Sequence, residues 1–249
     1  MILWFVTKLF CIHGNFQTPS VWKPLAENLK ARNVNLDVIP VNIENYSFDG
    51  FDRWVDDFCN CIENKEVQEK SFLLGYSLGG RLALHACLLR PDLWEGVILV
   101  GADPGLESEE EKKLQLDKDR NWVERLKREP LGKLVNEWDA QPVFCGIENQ
   151  APRNLGEMDP ERLSQHFEVF SKGIQQNLAP KLAELKRPPI LFLSGEKDQK
   201  YQKIGEELAE SCTVFKSEII KDAGHRVPWE NPNAFFQELG KFINSLNSC

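Results

Sequence analysis

At 249 residues the chain has room for one large α/β domain or two small ones, and its 42% hydrophobic and 27% charged content is that of an ordinary globular protein, which speaks against disorder and against a membrane protein. A formal net charge of −8 argues against a nucleic-acid partner, because phosphate binding demands a basic face. It leaves room for a small anionic ligand, since a few arginines in a pocket can hold a carboxylate whatever the global charge.

The opening Met1-Ile2-Leu3-Trp4-Phe5-Val6-Thr7 run has the hydrophobicity of a signal core but lacks a basic leading region and a small-residue cleavage site. No stretch reaches the ~18 apolar residues of a membrane helix, so a soluble protein is expected. Lys8 to Ile12 predicts a short strand ending at His13-Gly14. Ser20 to Arg32 predicts a helix, with Ser20 as N-cap, Pro24 in the first turn, and Leu25, Ala26 and Leu29 on one face. Val34 to Val41 is a second strand, and Phe51 to Val67 a second helix, in which Trp54, Val55, Phe58 and Ile62 recur at helical spacing. Within it, Cys59-Asn60-Cys61 has the wrong spacing for a metal pair and reads as structural. Seven cysteines, an odd number at irregular positions, indicate reduced thiols and a cytoplasmic setting.

A strand over Ser71 to Leu74 then runs into Gly75-Tyr76-Ser77-Leu78-Gly79 and a helix from Gly80 to Leu89. Gly96 to Val100 is a continuous apolar run, as in a strand covered on both faces. From about Glu107 to Leu185 no strand-like run appears; charge is dense, and Trp122, Leu126, Leu131 and Leu134 punctuate helix-like segments. The alternation resumes with a strand at Pro189 to Ser194, a helix at Tyr201 to Ser211, a strand at Thr213 to Ile220 and a helix at Asn233 to Leu246. Such a rhythm implies a parallel sheet, interrupted by a helical cap.

The G-x-S-x-G match sits where it carries meaning, between a strand and a helix. A turn that sharp strains the serine backbone and leaves no space for a β-carbon on the flanking residues, so Ser77 should stand exposed above the sheet as a nucleophile. A serine hydroxyl needs an imidazole to take its proton and a buried carboxylate to orient that imidazole. Asp198, after the strand that resumes the sheet, and His225, after the last strand, follow in the order Ser, Asp, His. Asp103, after Val100, competes for the acid position, and Asp222 is a nearer neighbour of His225 that suits a loop-capping role. His85 reads as a packed or surface residue, His166 as a solvated residue of the cap, and His13 as a brace for its own loop. The backbone N–H groups of Leu78 and of Asn15, in His13-Gly14-Asn15, are the expected oxyanion donors.

These residues identify the chain as resembling the α/β-hydrolase superfamily over its whole length, with a core over residues 1–104 and 187–249 and a cap over 105–186. Within that superfamily it looks like the family of 2-succinyl-6-hydroxy-2,4-cyclohexadiene-1-carboxylate synthases. The resemblance rests on Gly75 to Leu84, on Gly105-Leu106-Glu107-Ser108 followed by acidic residues, on Trp138-Asp139-Ala140-Gln141-Pro142-Val143-Phe144, and on Gly195 to Tyr201. It implies a cytoplasmic carbon–oxygen lyase of menaquinone biosynthesis that expels pyruvate from an anionic small molecule and requires no cofactor or metal. It also implies that Tyr76, Arg81 and Trp138 line the substrate site, with Arg81 able to fork onto a carboxylate. The family places an arginine about where this chain has Gln115, with Lys118 and Arg120 the nearest basic residues. It has a further arginine beyond the Gln-Pro-Val-Phe segment, for which Arg153 is the available counterpart. The alternative on the same scaffold is a serine hydrolase of carboxylic esters or carbon–carbon bonds. Oligomeric state is not legible in the sequence.

Overall fold

A computed structural model describes residues 7–32, 34–63 and 71–247. The run at Met1 to Val6 and the tail of the predicted second helix beyond Glu63 lie outside the described residues. Among the described residues six strands, β1 (Thr7–Ile12), β2 (Leu36–Val41), β3 (Ser71–Tyr76), β4 (Gly96–Val100), β5 (Ile190–Gly195) and β6 (Phe215–Ile220), form one sheet. Their order is β2-β1-β3-β4-β5-β6, and every pairing is parallel.

Burial follows position in that order. β3, β4 and β5 are buried at every residue, as strands covered on both faces must be, whereas the edge strands β2 and β6 are buried only at their ends. Pro40, which donates no backbone hydrogen bond, is accommodated because β2 is an edge.

Successive side chains of the inner strands feed two separate cores. Phe10, Ile12, Leu73, Val97, Leu99 and Phe192 meet Trp54, Phe58 and Leu82 of α2 (Phe51–Glu63) and α3 (Leu78–Leu89). Leu9, Cys11, Leu74, Ile98 and Leu193 meet Leu25 and Leu29 of α1 (Lys23–Ala31), together with Phe235 and Leu239 of the last helix, which spans Pro232–Asn247. On the first face α8 (Gln199–Ser211) adds Leu208.

The predicted N-cap at Ser20 is not formed. A short 3-10 turn over Pro19–Trp22 precedes α1, and the Ser20 hydroxyl instead donates to Glu157 Oε2 at 2.7 Å. This contact ties the loop after β1 to the segment inserted between β4 and β5. That segment is built from α4 (Glu109–Leu126), α5 (Leu131–Asp139), α6 (Pro160–Val169) and α7 (Ala179–Ala183). Ser108 opens α4 with a reciprocal capping box: its hydroxyl accepts from Glu111 N–H, and the Glu111 carboxylate accepts from Ser108 N–H.

A third apolar cluster joins Val123, Leu126, Leu134, Val135, Leu163 and Phe167 of these helices to Phe16 from the loop after β1. Phe16 takes φ +54°, which turns its ring up into that cluster. Phe170, Leu178 and Leu182 pack down into the sheet-side core, so the far end of the inserted segment is anchored on the sheet layer.

Candidate active site

Every chemically active loop leaves the carboxyl end of a strand, where a parallel sheet gathers its ligand site. The switch point is β1, whose neighbours β2 and β3 lie on opposite sides. Ser77 follows β3 directly and has φ +53° and ψ −110°, a strained geometry for a residue with a side chain. Close packing enforces it. A β-carbon on Gly79 would lie 2.3 Å from the Ile12 carbonyl oxygen, and one on Gly75 would lie 2.3 Å from the Gly79 oxygen. The serine hydroxyl does not cap α3, and Ser77 N–H donates to Val100 O at 2.9 Å.

Asp198 and His225 are brought together from loops after β5 and β6. His225 Nδ1 lies 2.7 Å from Asp198 Oδ2, with the two residues only 3% and 4% exposed. Of the candidate acids, Asp198 is the one within hydrogen-bond reach of the imidazole. Asp103 instead receives Lys172 Nζ at 3.2 Å, Lys200 Nζ at 2.9 Å and Gly105 N–H at 3.2 Å. Burial pushes its carboxyl upward, but the two ammonium groups outweigh burial and hold it at about 2. Asp222 is exposed, and its own N–H donates to Glu196. The His225 ring sits over Gly101, where a β-carbon would come within 2.6 Å of Cε1, and against the rings of Tyr201 and Phe144.

Ser77 and His225 both line a cavity of about 370 Å³, a size suited to a small metabolite. Asn15, Trp138, Phe144, Phe167, Phe170 and Tyr201 share its wall. Gly14 N–H is committed to Gln17 Oε1, and Leu78 N–H, in the first turn of α3, has no intrahelical acceptor.

The charged lining differs from the sequence expectation. Four cationic side chains, Arg81, Lys118, Lys172 and Lys200, face two carboxylates, Asp103 and Asp119. Arg81 is present as expected, though its Nη1 already donates to Phe170 O at 2.6 Å and to Gln175 Oε1 at 3.1 Å. Burial lowers the Lys172 ammonium to about 8 despite the attraction of Asp103.

Three predicted substrate residues are not at the wall. Arg120 points outward from α4, its side chain 71% exposed and paired with Asp117, because it lies on the opposite helix face from Gln115 and Lys118. Arg153 is partly buried and forks onto Asp139 at 2.6 and 3.1 Å, with its Nε donating to Phe16 O at 3.2 Å. Asp139 also accepts from Arg226, the residue after His225, so this cluster fastens the His225 loop to α5. Tyr76 lies beneath the site against Trp229, Gly14 and the His225 ring.

The remaining histidines divide. His85 is packed, stacked on Phe51 with Nδ1 3.2 Å from Asp52, and His13 braces its loop through Gly14 O at 3.0 Å. His166, expected in solvent, is 1% exposed and lines the cavity, because α6 turns that face toward the sheet. Sequence reasoning also passed over Lys172 and Lys200. Lys200, two residues after Asp198, could have been found from that spacing; Lys172 carries no local signal. Among the described residues no cluster of three or more His, Cys, Asp or Glu side chains is arranged to hold a metal, and no helix is long and apolar enough to cross a membrane.

Comparison with known proteins places the fold. Residues 9–238 match the model of the alpha/beta hydrolase family. The chain is 35% identical over 180 residues to 2-succinyl-6-hydroxy-2,4-cyclohexadiene-1-carboxylate synthase of Serratia proteamaculans, covering 70% of this chain and 68% of that protein. It is 31% identical over 201 residues to the synthase of the same name from Escherichia coli O1:K1, covering 79% and 77%. Among solved structures, MenH from S. aureus superposes with a TM-score of 0.84 at 20% identity, over 99% of this chain and 96% of that one. A thermophilic esterase from Thermogutta terrifontis superposes at 0.68 with 18% identity, over 96% and 90%, which marks how widely the scaffold is shared. The chain therefore belongs to the α/β-hydrolase family of enzymes and, within it, to the family of the 2-succinyl-6-hydroxy-2,4-cyclohexadiene-1-carboxylate synthases.

Proposed function

We propose that this enzyme is a cytoplasmic lyase of menaquinone biosynthesis. It eliminates pyruvate from 2-succinyl-5-enolpyruvyl-6-hydroxy-3-cyclohexene-1-carboxylate to give the 2,4-cyclohexadiene. His225, oriented by Asp198, takes the Ser77 proton, and the serine oxygen removes the ring proton next to the succinyl carbonyl. The electron pair forms the C2–C3 double bond, the existing double bond moves to C4–C5, and the C5–O bond breaks. The departing enolpyruvate takes up the proton held by His225 and tautomerises to pyruvate. Negative charge that gathers on the succinyl oxygen is met by the N–H groups of Asn15 and Leu78.

The observation that carries this reading is the cationic wall around the serine. Arg81, Lys118, Lys172 and Lys200 suit a substrate with several carboxylates, and a site for neutral esters has no use for them. Lys172 and Lys200 take the part that the sequence assigned to Arg120 and Arg153. The inserted segment, residues 105–186, serves as the lid that supplies Lys118, Trp138 and Lys172. The test is to give the purified protein the freshly generated enolpyruvyl substrate and, separately, short p-nitrophenyl esters. Pyruvate release with negligible esterase activity supports the lyase; rapid ester cleavage without pyruvate release establishes a serine hydrolase instead.

A further inference from the structure

The cavity has a second polar region, away from the lysines. Asn15 and His166 line the wall, and the His13 ring lies behind, its centroid 6.3 Å from that of His166. Among the described residues, four buried atoms here have no hydrogen-bond partner: His13 Nε2, Asn15 Oδ1, and both His166 nitrogens. Leaving such atoms unpaired is costly, and sites that do so are commonly completed by a ligand.

Their donor and acceptor character can be deduced. His13 Nδ1 lies 3.0 Å from the Gly14 carbonyl oxygen, which can only accept, so the proton sits on Nδ1 and Nε2 offers a lone pair. Burial lowers His13 to about 4 and, with the repulsion of His13 and Arg162 added, His166 to about 3, so both rings are neutral at physiological pH. A neutral His166 offers one donor and one acceptor. These four atoms thus present three acceptors and one donor, none of them charged. A carboxylate, which only accepts, is a poor match for it. A hydroxyl, which donates once and accepts, fits. His166 cannot easily turn away to find other partners, since its ring lies parallel to that of Phe48, with centroids 5.8 Å apart.

We infer that His166 and Asn15 Oδ1, backed by the His13 ring, form a hydroxyl-binding subsite that seats the ring hydroxyl of the substrate beside the Asn15 oxyanion donor. This rests on the lyase reading for the identity of the ligand. The two polar regions then orient the ring between them, with carboxylates toward Lys172 and Lys200 and hydroxyl toward His166.

The test compares two ligands by calorimetry: the hydroxylated product, 2-succinyl-6-hydroxy-2,4-cyclohexadiene-1-carboxylate, and 2-succinylbenzoate, which keeps the succinyl and carboxylate groups but has no ring hydroxyl. His166→Phe preserves the stack on Phe48 and should weaken the hydroxylated ligand about tenfold, the worth of one hydrogen bond, while 2-succinylbenzoate changes less than twofold. His166→Gln, which retains a donor and an acceptor, should recover most of the preference. The inference is overturned if both ligands weaken alike, if neither does, or if the wild type shows no preference for the hydroxylated one. Pyruvate release by the wild type is scored separately. A preference that depends on His166 in a protein releasing no pyruvate would retain the subsite and reject the reaction.

Discussion

Replacing Asp198 with asparagine tests the core of the mechanism with almost no change of shape. In the wild type the carboxylate lies 2.7 Å from His225 Nδ1, and both groups are buried, so solvent screens their interaction little. In the proposed reaction His225 takes the Ser77 proton and becomes an imidazolium facing that carboxylate. With charge centres ~4 Å apart and an effective dielectric of ~20, the attraction is about 4 kcal/mol. Because it exists only after proton transfer, its loss raises the barrier and leaves ground-state binding alone, and 4 kcal/mol is roughly a 10³-fold fall in kcat. Pyruvate release measured under saturating substrate reads that fall, and a thermal melt within a few degrees of wild type shows the fold intact. Asp103→Asn supplies the comparison, since Asp103 faces Lys172 and Lys200 and not the imidazole. An Asp198→Asn kcat within tenfold of wild type, with a larger loss in Asp103→Asn, would refute the assignment.

Three further outcomes are expected. Lys172, lowered to about 8, is charged below that pH and neutral above it, so attraction for an anionic substrate is full below pH 8 and is lost as the pH rises through it. kcat/KM should therefore decline above about pH 8, and Lys172→Arg, which stays charged, should move that limb upward; identical profiles would remove Lys172 from the binding site. Arg153→Ala should cost about 1–3 kcal/mol in urea unfolding through the lost, partly buried hydrogen bonds to Asp139 and Phe16. KM should change less than about threefold, and an unchanged stability with a large rise in KM would return Arg153 to the substrate. Gly79→Ala puts a β-carbon 2.3 Å from a backbone oxygen that cannot yield, so a loss of at least ~3 kcal/mol, or no folded protein, is expected. Gly132→Ala in α5, whose nearest contact would be 3.8 Å away, should be neutral or slightly stabilising by the same thermal melt; equal melting temperatures for the two would contradict the packing argument.

Much of this molecule is written locally in its chain. The continuous apolar run at Gly96 to Val100 announces a strand with both faces covered, and that strand is fully buried between β3 and β5. Gly75 marks the sharp turn through a local exclusion, Gly79 O at 2.3 Å, whereas the need for glycine at 79 comes from the Ile12 carbonyl of the neighbouring strand. The strand rhythm also gave Asp198 and His225, since loops at the carboxyl ends of parallel strands converge wherever the sheet closes.

Facing is a different kind of property. Arg120 and Lys118 are two residues apart on α4, and only the packing of that helix sends one to solvent and the other to the cavity. Arg153 looked like a free cation until Asp139 and the Phe16 carbonyl were brought to it, and His166 looked solvated until α6 turned it inward. Lys172 and Lys200 meet at Asp103 from 69 and 97 residues away. The sequence by itself determined the parallel sheet and the serine turn and offered His225 with two candidate acids, because periodicity and local sterics are properties of neighbouring residues. That Asp198 and not Asp103 stands beside the imidazole came from the fold. Only the tertiary structure decided which charges line the cavity and which polar atoms are left without partners there, because burial and pairing depend on what distant segments bring into contact.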